Sequence, residues 1–340
     1  MDALSALLQN VHLLETKYYR LNGHGNWSYS FSRKDTIMFY SVLSGSFCIQ
    51  IGDEVREAHS GDTIMISDDY QHVSYALNHN GDNARTLNDL MDNNTNEIIQ
   101  LNDSGDNNAC LILIECHYDK EMIRPLLSML PPMLPNISAE SDGRFKTIDL
   151  EIKLLALESK YERMGRAAVI NHWASIILIE CLRTYIETLP EATDSWLRAM
   201  RDPHLVKAIA VMHRWPERNW TIHKLAEVAG ISRSNFAQRF KNVVGMPPLT
   251  YLSDYRLRLA AHYLRLQQKS ISRISELVGY ASDSTFSQAF KRVYGVCPSV
   301  YRQRHQKKPP MPVTFLSLKS FVVVQFVVPQ IGTKIYHLSY

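Results

Sequence analysis

Two short sets of polar residues in the C-terminal third of the chain share the same residue types at the same spacing. Each set holds a serine, a glutamine and a lysine, and the second repeats the first 50 residues later: Ser234, Gln238 and Lys241, then Ser284, Gln288 and Lys291. A glutamine amide can read a base edge in a major groove, a serine hydroxyl can contact a base or a phosphate, and a lysine neutralises phosphate. The two sets therefore indicate a surface for double-stranded DNA.

The predicted DNA-contacting residues extend these sets along two predicted helices. On the first helix they are Arg233, Ser234, Asn235, Ala237, Gln238 and Lys241. On the second helix they are Asp283, Ser284, Ser287, Gln288 and Lys291. The alternative interpretation is a pair of merely solvated helix faces, which is the commoner explanation for a single polar face. The duplication and the matching glutamines favour DNA contact.

A helix, a tight turn and a second helix are predicted to position the second set. The stretch "ISELVGYASDSTFSQAFKRVYGVCP", Ile274–Pro298, places apolar residues on two helical stripes: Ile274, Leu277 and Val278, then Phe286, Phe290 and Val293. Gly279 lies between the stripes and can end the first helix in the left-handed conformation. Ser282 or Asp283 can cap the second helix.

The same unit occurs earlier in the chain. The stretch "TIHKLAEVAGISRSNFAQRFKNVVGMPPLTY" aligns with "SISRISELVGYASDSTFSQAFKRVYGVCPSVY", and a small residue, Ala226 or Ser275, allows close helix approach in each copy. Between the copies, "LTYLSDYRLRLAAHYLRLQ" has apolar residues on two faces, one with Leu252, Tyr255 and Leu259 and the other with Leu257, Ala260 and Leu264. This pattern predicts a linker helix packed between the two units. The recognition helices would then enter successive major grooves, about 34 Å apart.

Charge is distributed unevenly along the 340 residues. Residues 203–308 contain 18 Lys and Arg against 5 Asp and Glu, a formal charge of +13, whereas the whole chain carries only +3, which leaves −10 for the remainder. A basic segment of this kind favours a polyanionic partner. The N-terminus lacks a signal-peptide pattern and no run is long enough to span a membrane, so a cytoplasmic protein without membrane contact is expected.

The N-terminal half has the pattern of a small β-structure. From Asp35 to Tyr75, short apolar runs alternate with Ser-Gly and Gly-Asp turns, which favours an antiparallel barrel or sandwich. The element "GDTIMISDDYQH", Gly61–His72, is similar to the turn-strand-turn-His element of cupin barrels. A cupin metal site needs several converging ligands, but His72 stands alone at a motif position, so no metal or other cofactor is predicted. The chain is expected not to be an enzyme, with a cupin-type metalloenzyme fused to a DNA-binding module as the alternative.

Composition divides the chain into four predicted segments. A β-rich segment spans 1–118 and contains an Asn/Asp-rich loop at 78–108, and a helical linker and dimerisation segment spans 119–200. The DNA-binding segment spans 203–308, and residues 309–340 form a β-prone tail without an assigned role. In the helical segment an apolar stripe can form a dimer seam or pack on the barrel: Val169, Trp173, Ile176 and Ile177.

The tandem units and the ending "ISELVGYASDSTFSQAFKRVYGVCPSVYR" closely resemble the AraC/XylS transcription regulators. The N-terminal half, through "YDKEMIRPLLSMLPPML" and "VINHWASIILIECLRTYIE", resembles the cupin-like sensor domain of the branch that contains a reactive-chlorine-responsive activator. The resemblance implies an α+β fold, with an N-terminal cupin-like β-barrel that has a helical extension and a C-terminal all-α tandem helix-turn-helix domain.

The resemblance also implies a function and partners. It implies a sequence-specific activator of transcription that forms a homodimer, contacts RNA polymerase and responds to an effector or stress signal. A non-specific architectural DNA binder is a further alternative. Where that branch has Cys-Gly on its final strand, this chain has Leu113 and Ile114, so redox sensing by that cysteine does not carry over. The remaining cysteines are scattered, and none is predicted to be a required redox switch.

Overall fold

A computed structural model gives the fold of the protein. It describes residues 3–8, 13–68, 70–93, 97–102, 105, 108–135, 137–138, 146–159, 163–190 and 196–305. The predicted β-prone tail at 309–340 lies outside these residues.

The N-terminal half is built from two packed β-sheets. Its strands are β1 (Leu13–His24), β2 (Ser28–Phe31), β3 (Thr36–Ser44), β4 (Ser46–Ile51), β5 (Glu54–His59), β6 (Asp62–Ile66), β7 (His72–Ala76), β8 (Arg85–Thr86), β9 (Ile98–Gln100), β10 (Asn108–Tyr118) and β11 (Ile137–Ser138). One sheet has the strand order β11-β6-β3-β10-β1-β9, and the other has the order β5-β4-β7-β2-β8. Most neighbouring strands are antiparallel, and β9 and β8 join the edges in parallel.

The described part of the N-terminal half also has five helices: α1 (Ala3–Leu8), α2 (Leu87–Asn93), α3 (Lys120–Leu127), α4 (Lys146–Ser159) and α5 (Arg166–Thr188). Of these, α3, α4 and α5 form a layer on the outer face of the six-stranded sheet. Strand β10 shows how the layers meet, because Leu111 and Leu113 point between the sheets while Ile112 and Ile114 point to the helices. Successive side chains of a strand alternate in direction, so a strand covered on both faces reads as one continuous apolar run.

The Asn/Asp-rich segment at 78–108 is not the structureless loop that its composition predicted. It contains β8, α2 and β9, and four of its apolar residues are buried in the core between the sheets: Leu87, Met91, Ile99 and Leu101. These anchors are few and widely spaced among polar residues. The average composition of the segment therefore conceals them.

Helix α5 packs on the barrel through part of the stripe identified in the sequence. Ile177 is fully buried in the core beneath α5 and Trp173 is partly buried against it, whereas Val169 and Ile176 are 36% and 37% exposed. The stripe therefore divides between an inner and an outer side. The dimer seam stays a prediction that concerns only the outer residues.

The C-terminal half is entirely helical within the described residues. After a 3₁₀ turn at Trp196–Met200 come α6 (Leu205–Arg214), α7 (Ile222–Ala229), α8 (Arg233–Val244), α9 (Pro248–Leu266), α10 (Ile271–Leu277), α11 (Asp283–Tyr294) and α12 (Pro298–His305). The pairs α7–α8 and α10–α11 are the two helix-turn-helix units. Together with the β-rich half they confirm the predicted α+β fold class.

The turn of the second unit uses the predicted Gly279 and Ser282, and the first unit has Gly230 and Ser232 at the equivalent positions. Gly230 and Gly279 have φ values of 70° and 81°, in the left-handed region that a glycine adopts without strain. A Cβ at Gly279 would lie 2.8 Å from the backbone of Glu217, so no larger residue fits there without a backbone shift. Ser232 and Ser282 cap α8 and α11 by accepting hydrogen bonds from the backbone N–H three residues later.

The linker helix α9 joins the two units by its ends rather than by two full-length faces. Tyr251 and Leu252, near its N-terminus, belong to the core of the first unit. From Tyr255 onward its buried residues, which include Leu259, belong to the core of the second unit. The predicted face is therefore confirmed only at its N-terminal end: Leu252 lies in the core of the first unit and Tyr255 packs on His213 of α6 with 4.0 Å between the ring centroids, whereas Leu259 packs in the second unit.

Val293 does not belong to the core stripe in which the sequence pattern placed it. Its side chain is 54% exposed, whereas Phe286 and Phe290 are fully buried. The stripe turns out to solvent in the last turn of α11, where Tyr294 packs against Phe290 with 4.4 Å between the ring centroids. This difference gives a matched pair of substitutions for measuring the core.

We expect Phe290→Ala to destabilise the second unit by about 3–5 kcal/mol, because it empties a fully buried aromatic position. Val293→Ala on the same helix should change stability by less than about 0.5 kcal/mol, because that side chain is largely exposed. Amide hydrogen exchange over residues 271–294 measures both effects. Equal protection in the two variants would contradict this account of the core.

Candidate nucleic-acid interface

The residues predicted to contact DNA from the first unit lie together on the outer side of α8. Five of the six are exposed, and Ala237 is half-buried: Arg233, Ser234, Asn235, Gln238 and Lys241. On the opposite side, Phe236 and Phe240 are fully buried against α6 and α7. Because the phenylalanines fix the rotation of the helix about its axis, the polar side is held toward solvent.

Helix α11 repeats this arrangement in the second unit. Four of the five predicted residues are exposed, and Ser287 is half-buried: Asp283, Ser284, Gln288 and Lys291. Phe286 and Phe290 hold the helix from the inner side. The structure thus brings each predicted set together on one face, while the role of each side chain toward DNA stays a prediction.

The serine caps give each recognition helix a defined first turn. Ser232 Oγ accepts from the Asn235 backbone N–H at 3.4 Å, and Ser282 Oγ accepts from the Thr285 backbone N–H at 3.2 Å. Helix N-termini carry partial positive charge, which favours the approach of phosphate. The first turn of each of these helices is therefore a favourable place for a phosphate group to approach.

Sequence reasoning missed a residue beside Gln238. The Gln238 side-chain amide donates to Asn242 Oδ1 at 2.8 Å, and both residues are exposed one turn apart on α8. The equivalent position in the second unit is Arg292, which is also exposed. The repeat alignment could have identified Asn242 and Arg292, because each of them directly follows the lysine of its set.

A carboxylate anchors α8 to the segment that precedes the first unit. Asp202 accepts hydrogen bonds from the backbone N–H groups of His204 and Leu205 and pairs with Arg239 Nε at 2.5 Å. Burial alone would raise the pKa of Asp202, but these hydrogen bonds outweigh it and lower the pKa. Asp202 thereby caps α6 and fixes it to the recognition helix.

Sequence reasoning also missed the contacts between the two halves of the protein. Asp119, at the start of α3, is 4% exposed, and His262 Nδ1 of α9 donates to it at 2.7 Å. Arg265 of α9 forms an ion pair with the same carboxylate. Burial opposes ionisation, but the hydrogen bonds from His262 and Arg265 outweigh it and lower the pKa of Asp119 to about 2. A buried charge with two partners thus joins the β-rich half to the second unit.

A second carboxylate of α3 reaches the recognition helix itself. The hydroxyl of Tyr294, the last residue of α11, donates to Glu121 at 3.0 Å, and that of Tyr301 in α12 donates to it at 3.4 Å. Met122 of α3 is buried in the core of the second unit. The partners are separated by more than 130 residues in sequence, and no local pattern signals their contact.

His72, the one histidine at a cupin motif position, is packed in the protein interior and hydrogen-bonded to other protein groups. It is fully buried, with Nε2 2.7 Å from the Tyr40 hydroxyl and Nδ1 3.1 Å from the Tyr70 carbonyl oxygen. Burial lowers the pKa of His72 to about 4, so the ring is neutral at pH 7. Within the described ranges no group of three or more His, Cys, Asp or Glu residues could hold a metal ion. No helix of the described chain is long and apolar enough to cross a membrane.

Comparisons with known protein families match both halves of the chain. A family model described as "Helix-turn-helix domain" matches residues 225–304. A family model described as "Cupin" matches residues 2–187. The matches agree with the β-rich and helical halves of the structure.

Relatives of similar length are transcription regulators. The HTH-type transcriptional regulator AlkR of Acinetobacter baylyi is 34% identical over 89% of this chain and 100% of its own length. A putative AraC-like transcription regulator of Streptomyces lividans is 30% identical over 92% of this chain and 98% of its own length. The RCS-specific HTH-type transcriptional activator RclR of Escherichia coli is 30% identical over 55% of this chain and 66% of its own length. This chain therefore belongs to the AraC-like helix-turn-helix transcription regulators that carry an N-terminal cupin domain.

Proposed function

We propose that this regulator activates transcription by reading a specific DNA sequence with α8 and α11 in successive major grooves. One observation carries the proposal: Gln238 and Gln288 occupy equivalent exposed positions on two helices whose opposite sides are fixed by paired buried phenylalanines. An exposed amide at a repeated position is the geometry that direct readout of a base edge requires. Lys241 and Lys291, one turn further on, then neutralise phosphates.

The proposed domain organisation assigns DNA binding to residues 203–308 and sensing to residues 1–118, with residues 119–200 as linker and dimerisation segment. Both helix-turn-helix units and α9 lie inside 203–308, as does the excess of positive charge. A homodimer would use the outer sides of α4 and α5, where exposed apolar residues include Leu150, Leu157 and Ile176. RNA polymerase and an effector are the further proposed partners, in the cytoplasm.

An enzymatic role for the cupin domain has little support. Both ring nitrogens of His72 already lie within hydrogen-bond distance of protein oxygen atoms, so a metal at this histidine would have to displace one of these partners. The relatives that match almost the whole chain are regulators. We therefore assign the cupin domain to signal reception rather than catalysis.

Thiol chemistry is not the proposed signal. Cys116 is fully buried in the layer under the helices, and burial raises its pKa to about 12, so little thiolate forms at neutral pH. Cys48 lies in the other sheet, where burial also raises its pKa. Cys110 accepts a hydrogen bond from Arg20 Nε at 3.2 Å. None of the five cysteines, all of which the structure describes, forms a disulfide.

We expect Gln238→Ala and Gln288→Ala to relax base preference at two positions about one helical turn apart, at a cost of about 1–3 kcal/mol for the best site. Lys291→Ala should weaken all sites alike, because a phosphate contact carries no base information. Selection of binding sites from random duplexes with each variant measures the preferences. Unchanged preferences in both glutamine variants would show that these helices do not read bases in this way.

The fragment 203–308 should bind operator DNA without the rest of the chain. Its affinity should fall steeply as salt is raised from about 50 to 200 mM, because each neutralised phosphate releases condensed counterion. Fluorescence anisotropy at several salt concentrations gives the slope, and Lys241→Ala should reduce it by about 1. A folded fragment with no operator affinity would rule out this assignment, and equal affinity for all duplexes would favour an architectural binder.

Single substitutions Cys48→Ser, Cys110→Ser and Cys116→Ser should preserve any oxidant-induced change in DNA binding. The reason is that the Cys116 thiol is buried and protonated, and Cys48 lies in the opposite sheet from the other two. DNA binding with and without hypochlorous acid tests each variant against the unsubstituted protein. A variant that binds DNA normally but no longer responds to the oxidant would contradict the prediction.

A further inference from the structure

A cleft of about 150 Å³ lies between the N-terminal half and the DNA-binding half. One wall comes from α3 and the residues after it: Met122, Leu126, Ser128 and Met129. The other wall comes from α6, the end of α8 and the start of α9: His213, Val244, Met246, Tyr251, Asp254, Tyr255 and Arg258. Small-molecule sites occur preferentially at such junctions between domains.

The lining of the cleft suits an apolar ligand. Three methionines, Met122, Met129 and Met246, line it together with the rings of Tyr251 and Tyr255. Thioether side chains adapt their shape and make favourable sulfur contacts with aromatic rings. An apolar cavity of about this volume is known to accept a single benzene ring. Size and lining together favour a small aromatic molecule.

The charges around the cleft favour a ligand without net charge. Asp254 and Arg258 are the acidic and basic residues that line it, one turn apart on α9, so the formal charges of its lining sum to zero. His213 is 95% buried, and burial followed by the nearby Arg258 charge lowers its pKa to about 3, so it is neutral at pH 7.

The cupin domain has a larger pocket of about 430 Å³ beside Trp27 and Tyr29, but polar residues such as Asn80, Asp82 and Arg85 make up most of its lining, so it suits an apolar ligand less well than the cleft does. The space between the two sheets of the cupin domain is filled by large side chains that are at most 3% exposed: Trp27, Tyr29, Phe31, Tyr40 and Phe47. Tyr40 and Phe47 lie with their ring centroids 5.7 Å apart, and Trp27 stacks near Phe47 at 6.4 Å. A ligand there would have to displace packed aromatic rings.

The position of the cleft couples it to both helix-turn-helix units. Helix α3 is already attached to the second unit through Asp119, Glu121 and Met122. Across the cleft, Val244 and Met246 belong to the first unit. A ligand between these walls would therefore link α3 to the first unit as well and fix the two units relative to the N-terminal half.

From this geometry we infer that the cleft between α3 and the α8–α9 junction is a binding site for a small uncharged aromatic molecule. The inference rests on the proposed function in one respect, since it gives the proposed effector a site. No residue of 1–118 lines the cleft, so this site lies beside the proposed sensing segment and not inside it. Binding itself does not require DNA. A negative result would therefore remove the site and leave the proposed DNA recognition intact.

Calorimetric titration of the full chain with toluene tests the inference directly. We expect one toluene per chain and a higher melting temperature with toluene present, because a ligand that binds the folded state stabilises it. Benzoate, which has the same ring and a negative charge, should bind more weakly. Tighter binding of benzoate than of toluene would overturn the assignment of an uncharged ligand.

Two substitutions in the cleft provide the structural control. Met246→Trp fills the cleft, and Met129→Glu places a carboxylate in its wall at a side chain that is already 43% exposed and so tolerates the change. Each should weaken toluene binding by about tenfold or more. Met164→Trp and Met164→Glu, at a fully exposed methionine on the surface, are the matched controls and should bind toluene normally. The inference would be overturned if the unsubstituted chain bound no toluene, or if both cleft variants bound toluene as tightly as the unsubstituted chain does.

Discussion

The burial of paired phenylalanines determines how each recognition helix faces its surroundings. Phe236 and Phe240 in the first unit, and Phe286 and Phe290 in the second, are fully buried one turn apart. A helix anchored by two large side chains on one side cannot rotate about its axis without exposing them, which costs several kcal/mol. The polar side of the helix is therefore fixed, and a side chain such as Gln288 has a defined direction before DNA arrives.

The repeat made this part of the fold predictable from the sequence. The glycine recurs 49 residues later, and the serine cap and the phenylalanines recur 50 residues later, so each copy supports the interpretation of the other. Prediction failed where the partner of a residue lies far away in sequence. Asp119 and Glu121 look like ordinary acidic residues at a helix start, yet they bind His262 and Tyr294 in the other half of the protein.

Local patterns also failed where a few residues outweigh the average. The segment 78–108 reads as polar, but Leu87 and Ile99 are enough to anchor a helix and a strand to the core. In α11 the reverse holds, because Val293 fits the apolar period and yet is exposed where the helix leaves the core. Apolar periodicity indicates which residues of a helix can be buried. How far along the helix that burial extends depends on the length of the element against which the helix packs.

The contacts between the halves differ in kind from those inside each unit, and this difference bears on regulation. Hydrophobic cores such as those around the phenylalanine pairs contribute strongly to the free energy of unfolding, and their packing changes little. By contrast, Asp119 is a buried charge whose desolvation is offset only while His262 and Arg265 remain in place. Such a contact gains little net free energy from forming, but loss of either partner leaves a costly, poorly compensated buried charge. The proposed signal from the N-terminal half would therefore have in this contact a place to act on the DNA-binding half, because weakening one partner of Asp119 also removes the compensation on which the buried charge depends.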